Sequence, residues 1–173
     1  RMPAPEKAIC DIIDTVDEVI LLQSSAHPTI FIKKKLPKTK VHTLIDQNMI
    51  NQALNNIMKN AIESIESAVG KEILKDREEG YIKVTVKKEK KDVLITVEDN
   101  GVGLPKRKTI LFEPYVTSRD DGIGLGLAIV KKIIDEHDGT LDLVDAQRFS
   151  GFSHHGALAR IRIPVYQRKN ETI

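Results

Sequence analysis

Residues Asp46–Gly70 carry the longest one-sided apolar pattern in the chain. Ile50, Leu54, Ile57, Met58, Ala61, Ile62, Ile65, Ala68 and Val69 recur at helical spacing and form one continuous stripe. A helix of that length with one apolar face needs a second layer to cover it. The segments that follow can supply that layer. Tyr81–Lys88 alternates Ile82, Val84 and Val86, and Asp92–Glu98 alternates Val93, Ile95 and Val97. Each reads as a half-buried strand, and the two together as a hairpin. Asp46 and Asn48 are candidate N-caps for the helix, and Gly70 is a candidate C-terminal stop.

The remaining segments extend this pattern. Ile9, Ile12, Ile13, Val16, Val19 and Ile20 predict an earlier helix over 6–23, with Pro3 and Pro5 ahead of it. Its apolar stripe must be covered, which makes it a candidate dimer or interdomain contact. Thr29–Leu36 and Val41–Ile45 read as strands around a Pro37-Lys38 turn. Residues 124–138 read as a helix with Leu127, Val130, Ile133 and Ile134 inward, ending at an Asp138-Gly139 turn. Thr140–Val144 and Ala157–Pro164 are the last strands, separated by the polar loop Asp145–Gly156. Lys71–Gly80 is a charged loop. Leu104–Asp121 has no clean period, and a loop of that length is usually functional or disordered. The element order predicts an α+β two-layer sandwich. One mixed β-sheet is covered on one face by helices, with an N-terminal helix and no parallel βαβ succession.

Bulk properties narrow the function. The 173 residues suffice for one domain with a real core, and 40% apolar with 30% charged content is ordinary for a globular chain. A net charge of +2 gives no argument for nucleic acid. The basic runs Lys33–Lys35 and Lys87–Lys91 read as solvated edge and hairpin positions, with a docking surface as the alternative. The single cysteine, Cys10, rules out an internal disulfide and reads as a buried or partner-facing thiol. No apolar run approaches the ~20 residues that span a bilayer, and no signal peptide is visible.

Three stretches carry chemistry. Asp99 stands where the alternating strand meets the Gly101 and Gly103 turn, glycines that allow positive φ and close backbone approach to a ligand. A carboxylate there can accept a hydrogen bond from an amino group; the alternative is that Asp99-Asn100-Gly101 is an ordinary turn sequence. Asn56 and Asn60 lie one helical turn apart at the border of the long apolar stripe. Asparagine is a poor helix-interior residue, and its amide oxygen can ligate a hard cation such as Mg²⁺. The alternative for this pair is a polar outer helix face. Gly122-Ile123-Gly124-Leu125-Gly126-Leu127 opens a helix, where backbone N–H groups and the helix dipole favour an anion. It lacks the third glycine of the dinucleotide fingerprint and the Gly-Lys-Ser/Thr of a Walker loop. One end suits a base and the other a phosphate chain, so the three pieces together suit one nucleotide.

In combination, Asn56-x-x-x-Asn60-Ala61, Asp99-x-Gly101-x-Gly103, Phe112-Glu113-Pro114-Tyr115 and Gly122-x-Gly124-Leu125-Gly126-Leu127 resemble the N, G1, F and G2 boxes of bacterial sensor histidine kinases. Gly156 resembles the later glycine box. The likeness covers roughly residues 29–165, and the opening Arg1-Met2-Pro3-Ala4-Pro5 is similar to the link after the dimerisation helices in the NtrY-type nitrogen-regulation kinases. The resemblance implies the Bergerat (GHKL) ATP-binding fold. It implies that Asp99 receives the adenine amino group, and that Gly101 and Gly103 shape that turn. It implies that Asn60, with Asn56, holds Mg²⁺ against ATP, and that the backbone from Gly122 to Leu127 contacts phosphates. It makes Leu104–Asp121 an ATP lid, in which Lys106, Arg107, Lys108 and Arg119 are candidates for neutralising γ-phosphate charge.

Two departures bear on the reaction. The ATP-hydrolysing relatives place a glutamate where this chain has Asn56, and an amide cannot act as a general base. That favours phosphotransfer to an imidazole over hydrolysis by an ATP-driven conformational module. A degenerate docking domain is the third reading, and the intact Asp99, Asn60 and glycines weigh against it. Many histidine kinases also carry a Lys/Arg-Tyr pair where this chain has Glu63-Ser64. His27, His42, His137, His154 and His155 all lack the context of the family's phosphoacceptor. His137 reads as a helix-end residue favouring the dipole, and His154-His155 as a polar loop. The resemblance therefore implies an upstream dimerisation and phosphoacceptor domain, a downstream response regulator and a homodimeric full-length protein. It divides the chain into an interdomain linker and helix (1–28), an ATP-binding domain (29–166) and a polar tail (167–173). The fragment is expected in the cytoplasm without direct membrane or nucleic-acid contact, and the full-length protein anchored in the inner membrane.

Overall fold

In a computed structural model the chain is described at residues 3–71, 74, 80–106, 111–113, 126–147 and 155–167. Ten elements follow in order: β1 (Ala8–Asp11), α1 (Ile12–Ala26), β2 (Ile30–Lys35), β3 (His42–Ile45), α2 (Gln47–Gly70), β4 (Gly80–Lys88), β5 (Asp92–Asp99), α3 (Gly126–Glu136), β6 (Thr140–Asp145) and β7 (Ala157–Pro164). Five strands form one mixed sheet in the order β2-β4-β5-β7-β6. The β4–β5 hairpin pairs Val84 with Val97 and Val86 with Ile95, so both apolar rows face the same side. The helices bury their stripes against that side in one core, with Ile50, Ile62, Ile82, Ile95, Ile133 and Ile161 almost fully enclosed. The two-layer α+β expectation holds.

α2 follows the sequence pattern closely. Asp46 is its N-cap, with the side chain accepting from the Met49 N–H at 3.1 Å. Ten residues from Met49 to Ala68 are buried along the helix, while Val69 is 56% exposed and falls off the stripe. Gly70 stays helical, and the C-cap is Lys71 at φ −95°, so no left-handed glycine ends this helix.

Three expectations need correction. The helix predicted over 6–23 starts at Ile12, because Ala8–Asp11 is a strand paired antiparallel to β3. Asp11 makes the change: its carboxylate caps α1 by accepting from the Ile13 N–H at 3.1 Å, and it also accepts from the Val41 N–H at 3.0 Å. Ile9 therefore belongs to β1 and is half exposed. β3 pairs with β1 in a separate two-stranded sheet and reaches the main sheet only through a Thr43–Val165 bridge. Finally, β2 and β4 pair in parallel across a crossover that contains α2. The sequence order of strands conceals that βαβ-like arrangement.

The stripe of α1 is covered within the chain. Ile12, Val16, Val19 and Ile20 are buried, and the Gln23 amide donates to the Asn55 Oδ1 of α2 at 2.9 Å. Leu21 and Leu22 remain exposed on its other side. Lys33, Lys34 and Lys35 are exposed at the end of edge strand β2, with Lys34 paired to Asp17 of α1, consistent with solvated edge positions. No helix among the described residues is long and apolar enough to cross a membrane.

His137, just past the end of α3, is buried. Its Nε2 accepts the Asp46 N–H at 2.9 Å, which leaves the ring proton on Nδ1, 2.7 Å from the Ile133 carbonyl oxygen. It thus fastens the end of α3 to the start of α2. His137→Ala leaves two buried backbone groups unpaired and opens a void. We expect a loss of about 2–4 kcal/mol, read as a lower urea midpoint without a change in far-UV spectrum.

Candidate functional site

Asp99 is the last residue of β5 and is 4% exposed. Its Oδ1 accepts the Gly101 N–H at 2.8 Å, which folds the chain back at the strand end. Asn100 fixes that fold: its Oδ1 accepts the Tyr81 N–H at 2.7 Å and its own N–H donates to the Tyr81 carbonyl at 3.2 Å. Asn100 thereby locks the loop to β4. The Val102 N–H then donates to the Ser64 carbonyl of α2 at 3.2 Å.

The glycines of this turn serve two different needs. Gly103 has φ +81°, the left-handed region where a side chain is strained. Gly101 is needed for closeness. A Cβ there would lie 2.2 Å from the Ser64 Oγ and 2.7 Å from the Ile65 nitrogen. Gly156, just before β7, is packed more tightly still: a Cβ would fall 1.7 Å from the Asp99 carbonyl oxygen. Loop, helix and β7 thus converge on one carboxylate.

Burial pushes the Asp99 carboxyl up from 3.8 to about 6. The N–H groups of Gly101 and Ala157 and the Ser64 hydroxyl oppose that rise, and the neighbouring Glu98 charge adds to it. A carboxylate removed from water at such cost is available to a ligand donor.

Along α2, Asn56, Asn60 and Ser64 repeat every four residues and share one face. At about 1.5 Å per residue they span roughly 12 Å, with Ser64 at the Asp99 end. Asn56 and Asn60 are half-buried. Their neighbours have other duties: Asn55 is clipped to Gln23 and to the Asn51 carbonyl, and Lys59 pairs with Glu63 at 3.8 Å. α3 packs on α2, and the His137–Asp46 bond makes the two helices antiparallel. With about 16 Å of length for its 11 residues, α3 begins roughly level with Asn56. Its first residues, Gly126 and Leu127, are half-buried there, and Leu127 packs on the core.

Asp99, Gly101 and Gly103 thus belong to the turn at the Ser64 end of α2, Gly126 and Leu127 open the described part of α3, which packs on α2, and Lys106 is exposed on the segment leaving the Gly103 turn. Arg107, Lys108, Arg119, Gly122, Ile123, Gly124 and Leu125 lie outside the described residues. Among the described residues no group of three His, Cys, Asp or Glu side chains could hold a metal ion. A cation bound at Asn56 and Asn60 would be completed by ligand oxygens, as Mg²⁺ commonly is. The donor set, the glycine-lined turn and the buried acceptor fit a nucleotide with its cation.

A family model described as histidine kinase-, DNA gyrase B- and HSP90-like ATPase matches residues 45–167. The chain belongs to this ATPase family. Nitrogen regulation protein NtrY of Azorhizobium caulinodans is 39% identical over 152 residues, covering 87% of this chain and 19% of that protein. A putative NtrY-like sensor histidine kinase of Rickettsia bellii is 34% identical over 170 residues, covering 98% of this chain and 25% of that protein. The chain thus spans only about a fifth to a quarter of these relatives. Of solved structures, the catalytic domain of histidine kinase ThkA aligns with TM-score 0.74 at 27% identity, covering 92% of this chain and 95% of that one. Full-length ShkA in complex with AMPPNP aligns with TM-score 0.73 at 25% identity, covering 94% and 32% respectively.

A folded-state pKa raised to about 6 favours the ligand-free fold with Asp99 protonated. That contribution is fully present below about 3.8 and is lost as pH rises through about 6. Asp99→Asn, which never ionises, should stabilise the ligand-free chain by about 1–3 kcal/mol at pH 8 and by little at pH 4. Urea denaturation at the two pH values checks the sign.

Proposed function

We propose that this chain is the ATP-binding catalytic domain of a two-component sensor histidine kinase. It binds Mg-ATP and directs the γ-phosphate to a histidine on a separate dimerisation domain. The observation that carries this reading is the buried Asp99 acceptor at one end of the Asn56–Asn60–Ser64 face, with the start of α3 at the other. Asp99 accepts the adenine amino group. Asn60, assisted by Asn56, holds Mg²⁺ through amide oxygens. The Gly122–Leu127 segment contacts the phosphates, a role suited to backbone N–H groups where a glycine run opens a helix.

Mg-ATP supplies the transferable phosphoryl group and a cation that offsets its charge. The protein contributes position and electrostatics. Lys106 and Arg119, with Arg107 and Lys108, supply cations toward the transferring group. Asn56 cannot take a proton from water, so hydrolysis is not promoted, whereas a neutral imidazole needs no such base.

The proposal extends to parts beyond this chain. Residues 1–28 join it to an upstream dimerisation and phosphoacceptor domain, residues 29–166 bind the nucleotide, and 167–173 form a polar tail. The full-length protein acts as a homodimer anchored in the inner membrane, with this domain in the cytoplasm, and passes its phosphate to a response regulator in nitrogen regulation. No nucleic acid takes part.

Calorimetric titration with a non-hydrolysable ATP analogue tests the site. Affinity should rise with Mg²⁺ in the native chain. Asn60→Ala should abolish the Mg²⁺ gain, and Asp99→Asn should weaken binding at least ~10-fold, the worth of one buried charged hydrogen bond. Background hydrolysis by the isolated chain, with phosphotransfer on adding the dimerisation domain, separates a kinase from an ATP-driven module. Mg²⁺-independent binding, or affinity untouched by Asp99→Asn, would overturn the assignment.

A further inference from the structure

β5 ends where a side chain takes over a main-chain bond. Ile82 and Asp99 are the last facing pair of the β4–β5 ladder, so Tyr81 and Asn100 come next. In a regular antiparallel ladder a hydrogen-bonded pair exchanges two backbone bonds, one in each direction. The Asn100 N–H donates to the Tyr81 carbonyl at 3.2 Å, as the ladder requires. The return bond runs from the Tyr81 N–H to the Asn100 side chain, whose Oδ1 accepts it at 2.7 Å. The amide oxygen takes the place that a main-chain carbonyl holds in a regular pair.

That substitution ends the strand at a fixed point and lets the backbone leave the sheet at once. The Gly101 N–H then turns back to the Asp99 Oδ1 at 2.8 Å, and the Val102 N–H donates to the Ser64 carbonyl of α2. Gly101 has no freedom to slide, because even a Cβ there would collide with the α2 backbone. Asn100 is only 1% exposed, too enclosed to meet a ligand itself. We propose that Asn100 is a positioning residue for base recognition: by replacing a main-chain acceptor at the end of β5 it fixes where the Gly101 N–H stands, and through that bond it orients the Asp99 carboxylate toward the exocyclic amino group of a purine. This rests on the reading of Asp99 as the base-binding residue.

A simpler role for Asn100 is a staple between β4 and β5. A staple stabilises the fold and affects all nucleotides alike. An oriented acceptor matters only to a base that presents an amino donor. In IDP a carbonyl oxygen replaces the amino group of ADP, so a carboxylate aimed at that position faces a second acceptor and rejects it. The preference for ADP over IDP therefore separates the two roles.

The experiment is ADP and IDP affinity of the native chain, Asn100→Ala, Asn100→Ser and Asp99→Asn by calorimetry, with thermal unfolding recorded for each. The native chain should prefer ADP by at least ~10-fold. Asn100→Ala should bind ADP roughly 3- to 10-fold more weakly, the worth of about one hydrogen bond, and IDP with nearly native affinity, so most of the preference is lost. Asn100→Ser, which keeps a shorter acceptor, should fall in between and serves if the alanine variant does not fold. Asp99→Asn, whose amide can turn a donor or an acceptor to the base, marks the floor of the preference. Equal losses for ADP and IDP in the Asn100 variants overturn the proposal, since a staple alone would give that. So does a native preference in Asn100→Ala. A native chain that binds ADP and IDP alike would instead overturn the base-pocket reading beneath it.

Discussion

The structure depends on a carboxylate kept out of water. Asp99 sits at the end of a central strand, and three separate elements close over it through contacts with no room for a side chain. Gly101 presses on the α2 backbone at Ser64, and Gly156 presses on the Asp99 carbonyl. Burying an acid in this way is unfavourable, and its upward-shifted pKa measures that. A fold selected only for stability would place an apolar residue there. The retained acid makes sense when a ligand donor completes it.

α2 links that carboxylate to everything else. One face carries the apolar stripe that builds the core, and it is continuous from Met49 to Ala68. A second face carries amides and a hydroxyl with divided tasks. Asn55 ties α1 to α2, while Asn56, Asn60 and Ser64 recur at one-turn spacing along that face. The ends of the helix are held as firmly as its middle. Asp46 caps it and accepts the Glu6 N–H at 2.9 Å, the main cause of its lowered pKa, while its own N–H is taken by His137. The last of these bonds fastens the C-terminal end of α3 to the start of α2.

Short-range pattern made most of this legible. The α2 stripe, the β4–β5 hairpin, β7 and the inward residues of α3 follow from periodicity that tertiary contacts reinforce. The misreadings share one cause, hydrogen bonds between residues distant in sequence. Ile9 continues a helical spacing, but Cys10 and Asp11 pair with Thr43 and His42, so the first turn becomes a strand. His137 looks like any polar residue at a helix end until Asp46, 91 positions away, supplies its partner.

The sequence by itself determined the layered fold, and it singled out Asp99 and the Asn56–Asn60 pair as candidates, because each rests on residue type at fixed local spacing. Tertiary structure decided the rest. Only folding shows that Gly101 is required for contact with α2 and not for positive φ, that Asn100 locks the turn to β4, and that β2 pairs in parallel with β4. Only folding brings Ser64 against Gly101. Such relations depend on which surfaces meet and on what water is excluded when they do, and no local spacing encodes them.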